Sequence, residues 1–280
     1  MIRTKFNLSL KEGQSLLLVP IGDIHFDTPE CDRDRLVRFV SWVQEQERAG
    51  NIVRLLGMGD YLDLASPSER RHLGREVLHD GTYLALDRAK IDAIEEFLGI
   101  VGRIGACFLG LITGHHHYIF ASRKSLGPTW QGRSSDEWLA HRLGCSWFGT
   151  GTSFIRLQFQ HQQYLDILAL HGAGSAQTAG GRVQKRIRFA EIAPTAHLVI
   201  SGHDNAKLAY PRSGLDWEAG MIKRYVIGSG SFQRAYLDEN PEAGYVEQQG
   251  LVPADLGVVV VTICLEQRSG KWRVDYHCSV

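Results

Sequence analysis

Residues 51–63 read NIVRLLGMGDYLD. The first nine form an apolar run of strand length, and it stops at two carboxylates three positions apart, Asp60 and Asp63. Such a run, closed by glycine and acid, reads as a buried strand ending in a polar turn. The fold turns on whether other strands stop in the same way.

They do. SLLLVPIG (15–22) stops at DIHFD, ACFLGLIT (106–113) at GHHH, YLDILAL (164–170) at His171 and a glycine, and AHLVI (196–200) at SGHDN. Helical patterns lie between them. DRDRLVRFVSWVQEQERAG carries Leu36, Phe39, Val40 and Val43 on one stripe, with Asp32 or Asp34 to cap its start and Gly50 to end it. KIDAIEEFLGIVGRI and GGRVQKRIRFAEIAP are two more. The tail GVVVVTICLE, a turn at RSG, and the alternating Trp272, Val274 and Tyr276 form a hairpin. Alternating strands and helices predict an α/β fold. In an open sheet the strand C-termini line one edge, where loops build the ligand site.

The bulk numbers bound this reading. The chain has 280 residues, 44% of them hydrophobic, with no linker, charge block or repeat, so one domain over 1–280 is expected. Lys+Arg and Asp+Glu balance at 31 each, which argues against a general nucleic-acid coat. Five cysteines without paired spacing favour reduced thiols and a cytoplasmic setting. The N-terminus lacks a signal-peptide apolar core, and no apolar run is long enough for a bilayer, so no membrane partner is expected.

Twelve histidines stand out, and several fall at the strand ends. A mixed Asp/His cluster suits Zn, Mn, Fe or Co, whereas all-carboxylate sites favour Mg or Ca. The count exceeds the four ligands of one tetrahedral ion. Two ions sharing a carboxylate use it better, and such a pair is a common device for phosphoryl-ester hydrolysis.

Taken in order, DIH (23–25), GDYLD (59–63), GHHH (114–117), HG (171–172) and GHDN (202–205) resemble the calcineurin-like metallophosphoesterases. That family's pattern runs D-x-H, GDxxD, GNHD or GNHE, H, GHxH. More narrowly, HGAGSAQTAGGRVQKRIRFAEI, GSGSFQRAY and YVEQQGLVPADLGVV look like a subgroup frequently seen in phage-type genomes. The resemblance implies an αββα sandwich of two mixed sheets flanked by helices; the sequence adds a small helical insertion at about 64–95. It also implies roles. Asp23 and His25 bind the first metal, Asp60 bridges, and His171 and His203 bind the second. His116 becomes the proton donor to the leaving group in an attack by a metal-bridging hydroxide, and Asp63 orients it.

Two positions depart from the pattern. His115 stands where the family has asparagine, and Asn205 where it has the last histidine. The exchange would give the second metal an imidazole and the first an amide oxygen, leaning the first site towards harder ions such as Mn or Mg and the second towards Zn or Fe. His117 takes the place of an acid. Asp27 and Asp204 are candidate supporting carboxylates. His72, His79, His141, His161, His197 and His277 fall off the motif ends and read as structural or solvated, His79 being the one an insertion would bring closest to the site.

Leu64 follows Asp63, so the arginine with which related protein phosphatases grip phosphate is missing. That favours phosphodiesters over monoesters. Arg70, Arg71, Arg123 and Lys124 are candidate substitutes. Arg182, Lys185, Arg186 and Arg188 could form a basic strip for DNA or RNA, and 64–90 could cap the site or make a homo-oligomer contact. The expected function is a phosphodiesterase acting on a small phosphate ester. The alternatives are a nuclease of the same chemistry and a non-catalytic metal-binding interaction protein on the same fold.

Overall fold

The computed structural model describes residues 1–73, 78–174, 176, 178–216, 220–237, 244–248, 250, 252–253 and 255–280. In chain order the elements are β1 (Ile2–Asn7), β2 (Leu16–Ile21), α1 (Arg33–Arg48), β3 (Ile52–Gly57), α2 (Pro67–Leu73), α3 (Asp80–Val101) and β4 (Phe108–Leu111). They continue with α4 (Ser135–Leu143), β5 (Ser146–Trp147), β6 (Ser153–Gln158), β7 (Tyr164–Leu170), α5 (Ala179–Ala190) and β8 (Leu198–Ser201). The chain closes with β9 (Lys207–Asp216), β10 (Gly220–Ser231), α6 (Tyr245–Gln248), β11 (Gly257–Val258), β12 (Val260–Arg268) and β13 (Lys271–Ser279).

Two mixed sheets face each other. One runs β13-β12-β2-β3-β4-β5, and the other β1-β6-β7-β8-β10-β11 with β9 paired to β10. β2, β3 and β4 are mutually parallel, as are β7 and β8. The period-2 side-chain alternation of β2 sorts the core. Leu16 and Leu18 face the opposite sheet with Leu56, Ile155, Leu165, Ile167, Leu198 and Ile200. Leu17, Val19 and Ile21 face outward onto Leu36, Phe39, Val40 and Val43 of α1. Those four are the apolar stripe expected from the sequence. Asp32 is the cap, its side chain accepting from the Arg35 N–H at 3.0 Å. On the other outer face, Leu168, Leu170, Val199 and Val226 meet Ile187 and Phe189 of the α5 segment. The layers are therefore helix, sheet, sheet, helix.

Pro20 sits inside β2, where proline is ordinarily excluded. β12 pairs β2 only through Leu16–Leu18, so Pro20 falls beyond that pairing. The same rule accounts for β9, which contains Pro211 and pairs only with β10, as an edge strand.

The expected insertion divides into two parts. α2 has no buried residue. The far half of α3 belongs to the helical layer, burying Ile94, Phe97 and Val101 against the sheet. Residues 74–77 of that stretch lie outside the described residues. No helix among the described residues is long and apolar enough to cross a membrane, and the five cysteines are free thiols.

One buried carboxylate organises the loop after the histidine triplet. Asp87 on α3 is fully buried and accepts from Tyr118 Oη at 2.9 Å, Ala121 N at 3.2 Å, Ser122 N at 2.8 Å and Ser125 Oγ at 2.7 Å. Removing it leaves several buried donors unanswered. Asp87→Ala is expected to cost about 3 kcal/mol or more in denaturant unfolding, whereas Asp87→Asn, which can still accept, loses less.

Candidate metal centre

The C-terminal ends of β2, β3, β4, β7 and β8 lead directly into Asp23, Asp60, His115, His171 and His203. The backbone there is forced into uncommon geometry. Eight described non-glycine residues have positive φ, and five of them are Asp23, His25, Asp60, His203 and Asn205. Such left-handed conformations are held only where the surroundings over-determine them, and they gather at functional sites. The strand ends also approach too closely for side chains. A Cβ on Gly114 would sit 2.0 Å from the Asp60 backbone nitrogen, and one on Gly59 2.6 Å from His171 Nδ1.

Asp60 is the hub. Its carbonyl accepts from Ile24 N at 2.8 Å and His25 N at 3.1 Å, and its Oδ1 from His116 N at 2.9 Å. Its Oδ2 lies 3.1 Å from His171 Nε2 and 3.9 Å from His25 Nε2. Asp23 is equally buried. Its Oδ1 accepts from His203 N at 2.9 Å and its Oδ2 from Asn205 N at 3.2 Å. Burial pushes the Asp23 carboxyl up, reinforced by the charge of Asp60. Burial pushes Asp60 the same way, but His171 alongside outweighs it and holds Asp60 well below the usual carboxylate range.

The imidazoles divide by charge, His171 being paired with carboxylate while His115 and His203 keep free lone pairs. His171 Nδ1 donates to the Met58 carbonyl at 2.7 Å, which leaves Nε2 facing Asp60. Burial disfavours its charge, yet Asp60 and Asp23 raise its pKa to about 9. His115 and His203 approach Nδ1 to Nδ1 at 3.0 Å. Burial and the neighbouring His171 lower both, His203 to about 4, so these two rings are neutral at pH 7. The ring nitrogens of His115, His171 and His203 lie within 4.8 Å of one another. So do ligand atoms of Asp23, Asp60 and His171, and of His25, Asp63 and His116.

Whether this pocket suits cations can be judged from what it leaves unsatisfied. Five buried side-chain nitrogen or oxygen atoms among the described residues lack a hydrogen-bond partner. Three of them are His25 Nδ1, His171 Nε2 and Asn205 Oδ1. Buried polar atoms seldom go unpaired, and three electron-pair donors around two buried carboxylates fit divalent metal ions. Asn205 directs its amide nitrogen to Gln233 Oε1 at 3.4 Å and keeps its oxygen free.

His116 Nδ1 is in short contact with Asp63 Oδ1. Asp63 is held low despite partial burial, because His116 bonds to it and His25 lies 3.8 Å away. Its N–H donates to Asp27 Oδ1 at 2.5 Å, so Asp27 supports Asp63 from behind. The remaining triplet member, His117, bonds through Nδ1 to the Gly114 carbonyl at 2.7 Å and takes a structural part.

Several expectations need correction. Arg186 is fully buried. It chelates Asp204 with both terminal nitrogens and also donates to the Ile227 and Arg182 carbonyls. Lys185 donates to the Gly174 carbonyl and lies 3.6 Å from Asp204. The basic strip is therefore divided, with Arg186 and Lys185 engaged by Asp204 and Arg188 exposed, and Asp204 stiffens the His203–Asn205 turn. Arg70 Nη1 donates to the carbonyls of Ala65, His115 and His117, clamping the triplet loop instead of waiting for phosphate. His79 caps α3, accepting from Gly81 N at 3.1 Å, and is exposed there. Of the other histidines, His161 stacks on Trp272 at 4.4 Å and His197 accepts from Asp166 N at 3.0 Å.

Sequence reasoning missed Asp136. Its buried Oδ2 accepts from Gly114 N at 3.0 Å, and burial together with the charge of Asp60 pushes it up to about 6. In the sequence it reads only as an acid in the first turn of a helix capped by Ser134.

No protein-family model matches the chain, and no curated protein does. Among solved structures it is similar to vacuolar protein sorting 29 from Cryptosporidium parvum, at 12% identity over 95% of this chain and 97% of that one, TM-score 0.35. It is similar to a Vps29 double mutant from Entamoeba histolytica at 10% identity over 95% and 99%, TM-score 0.37. A conserved uncharacterized protein from Streptococcus pneumoniae, titled a predicted phosphoesterase, matches at 10% identity over 94% and 88%, TM-score 0.32. At these scores none of the three carries the chemistry over to this chain.

The buried Arg186–Asp204 pair supplies a test. Arg186→Met removes the chelating partner of the Asp204 carboxylate and leaves only Lys185, 3.6 Å away, to answer its charge, and is expected to cost about 3 kcal/mol in chemical denaturation. The double variant with Asp204→Asn should recover part of that loss.

Proposed function

We propose that this chain is a dinuclear metal-dependent phosphoesterase of the calcineurin-like type, acting on phosphodiesters. The observation that carries this reading is the convergence of three unpartnered buried donor atoms on two buried carboxylates at one edge of the sandwich. Asp23, His25, Asp60 and Asn205 would hold one ion, and Asp60, His115, His171 and His203 the other. Two divalent ions, with Mn, Zn or Fe the candidates, supply an activated water and neutralise charge on the phosphate oxygens.

The chain's own residues do the rest. Asp63 accepts from His116 Nδ1, which fixes the ring's orientation and leaves Nε2 as the nitrogen that would deliver a proton to the departing oxygen. Asp27 fixes Asp63, and Arg70 and Asp136 fix the loop that carries His116. The diester preference rests on the cations. Arg70 is engaged with carbonyls and Arg186 is buried, so neither clamps a phosphate dianion, and a monoanionic diester needs less positive charge. The engagement of Arg186 and Lys185 by Asp204 counts against the nuclease alternative. The His116–Asp63 pair counts against the non-catalytic one, which has no use for an oriented proton donor. A cytoplasmic setting belongs to this reading on the strength of the free thiols.

Metal analysis followed by assays with Mn- or Zn-loaded protein tests the proposal. A bis-aryl phosphate should turn over faster than a mono-aryl phosphate. His116→Ala should lose roughly 10²-fold or more in kcat with both metals retained. Asp63→Asn should lose activity in the same direction. Equal rates in His116→Ala would remove the proton donor. A protein that binds both metals and turns over neither ester would favour the non-catalytic alternative.

A further inference from the structure

The segments that supply the first metal's residues also build a cavity that the reaction as described does not use. The chain from Asp23 to Asp34 and the chain from Ser231 to Arg234 run side by side. Phe232 N donates to the Asp23 carbonyl at 3.2 Å, Asp32 N to the Phe232 carbonyl at 2.8 Å, and Arg234 N to the Glu30 carbonyl at 2.8 Å. Ser231 Oγ adds a bond to the Asp23 carbonyl at 2.8 Å. Between these walls and the start of α1 lies a cavity of about 410 Å³, lined by Asp27, Thr28, Cys31, Arg33, Asp34 and Arg234, with Pro29. Cavities of that size accommodate small organic ligands.

The walls of the cavity are bonded to the metal centre at two points. Asp27, in its wall, holds the Asp63 N–H. Gln233, the chain neighbour of Arg234, meets the Asn205 side chain. A substituent on a phosphate bound at the first ion would therefore have this cavity as its neighbour.

The lining charges differ in availability. Arg33 pairs with Glu96 at 2.5 Å and lies over the Phe26 ring at 4.3 Å. Asp27 is engaged by Asp63. Arg234 is exposed and has no ion pair among the described residues. A guanidinium on the rim of a polar cavity, with no internal task, is suited to an anionic group in planar, two-pronged contact.

We propose that this cavity is the subsite for one ester substituent of the substrate, and that Arg234 selects substituents bearing a second anionic group, a phosphate monoester or a carboxylate. The proposal rests on the phosphoesterase reading for the word substrate, but the cavity's preference can be measured without turnover. Asp34, on the opposite wall, suits substituent hydroxyls, so the class is a small, hydroxyl-bearing, anionic group such as a nucleotide.

The test compares calorimetric binding of thymidine 5′-monophosphate and thymidine 3′,5′-bisphosphate to the Mn-loaded protein. The bisphosphate is expected to bind about tenfold tighter, and the ratio should fall to near one in Arg234→Ala and recover in part in Arg234→Lys. A ratio near one in the wild type, or one unchanged in Arg234→Ala, overturns the proposal. A 3′-carboxymethyl analogue in place of the phosphate separates the two anion types. The phosphoesterase reading has its own readout. Turnover of a bis-aryl phosphate without the binding ratio sinks the subsite alone, and the binding ratio without turnover sinks the phosphoesterase and leaves the anion subsite standing. Thermal midpoints of the variants should match the wild type, since Arg234 is exposed.

Discussion

The carboxylate of Asp60 is the constraint on which the rest of the site depends. It is 4% exposed, in a left-handed backbone conformation, and surrounded by the ends of three other strands. Its carbonyl fixes Ile24 and His25, its Oδ1 fixes His116, and its Oδ2 faces His171 and His25. A buried charge of this kind is unfavourable unless cations answer it. Here the answer comes from imidazoles, and Asp23 and Asp136 nearby are pushed up by burial, with the charge of Asp60 adding to it. A cluster with surplus buried carboxylate and spare nitrogen lone pairs is complementary to divalent ions. The glycines at 59 and 114 follow from the same constraint, since any Cβ there would drive the strand ends apart.

Much of this was legible in the sequence because burial and polarity alternate along the chain with element boundaries. Apolar runs that stop at Asp or His mark β2, β3, β4, β7 and β8, and YLDILAL coincides with β7 residue for residue. The ordered motifs added which polar residues meet. What could not be read was set by partners distant in sequence. β6 alternates buried and half-buried positions but gains its place from β1 and β7 on either side. β9 holds a proline that only an edge position tolerates. α4 shows little beyond its Ser134 cap, and its Asp136 becomes important only because Gly114 lies beside it in space.

Charge was the least legible feature. Arg186 stands among cations on an amphipathic helix and looks solvated in one dimension, yet it is the largest fully buried side chain, neutralised by Asp204 from another strand end. Arg70 looked available for phosphate and proves to be tied to three carbonyls of the triplet loop and its surroundings. A guanidinium carries five donors in a rigid fork, so it can serve as internal scaffolding wherever carbonyls converge. Sequence shows the number of such charges but not whether the fold has already used them.

The two departures from the family pattern belong together. His115 joins His171 and His203 in one imidazole cluster, while Asn205, whose backbone N–H donates to Asp23, keeps an unpartnered amide oxygen. The exchange keeps the number of donors and changes where the soft ones lie. Under the proposed division, the set on the side of His115 would be three imidazoles and a carboxylate, a combination suited to Zn or Fe. The set on the side of Asn205 would be one imidazole and three oxygens, suited to a harder, more weakly held ion. Chelator titration should then release the ions in two steps. The His115→Asn variant should weaken the tighter step alone, and an Asn205→His variant should tighten the weaker one. If both steps shift together in either variant, the ligands are not divided between the ions as proposed.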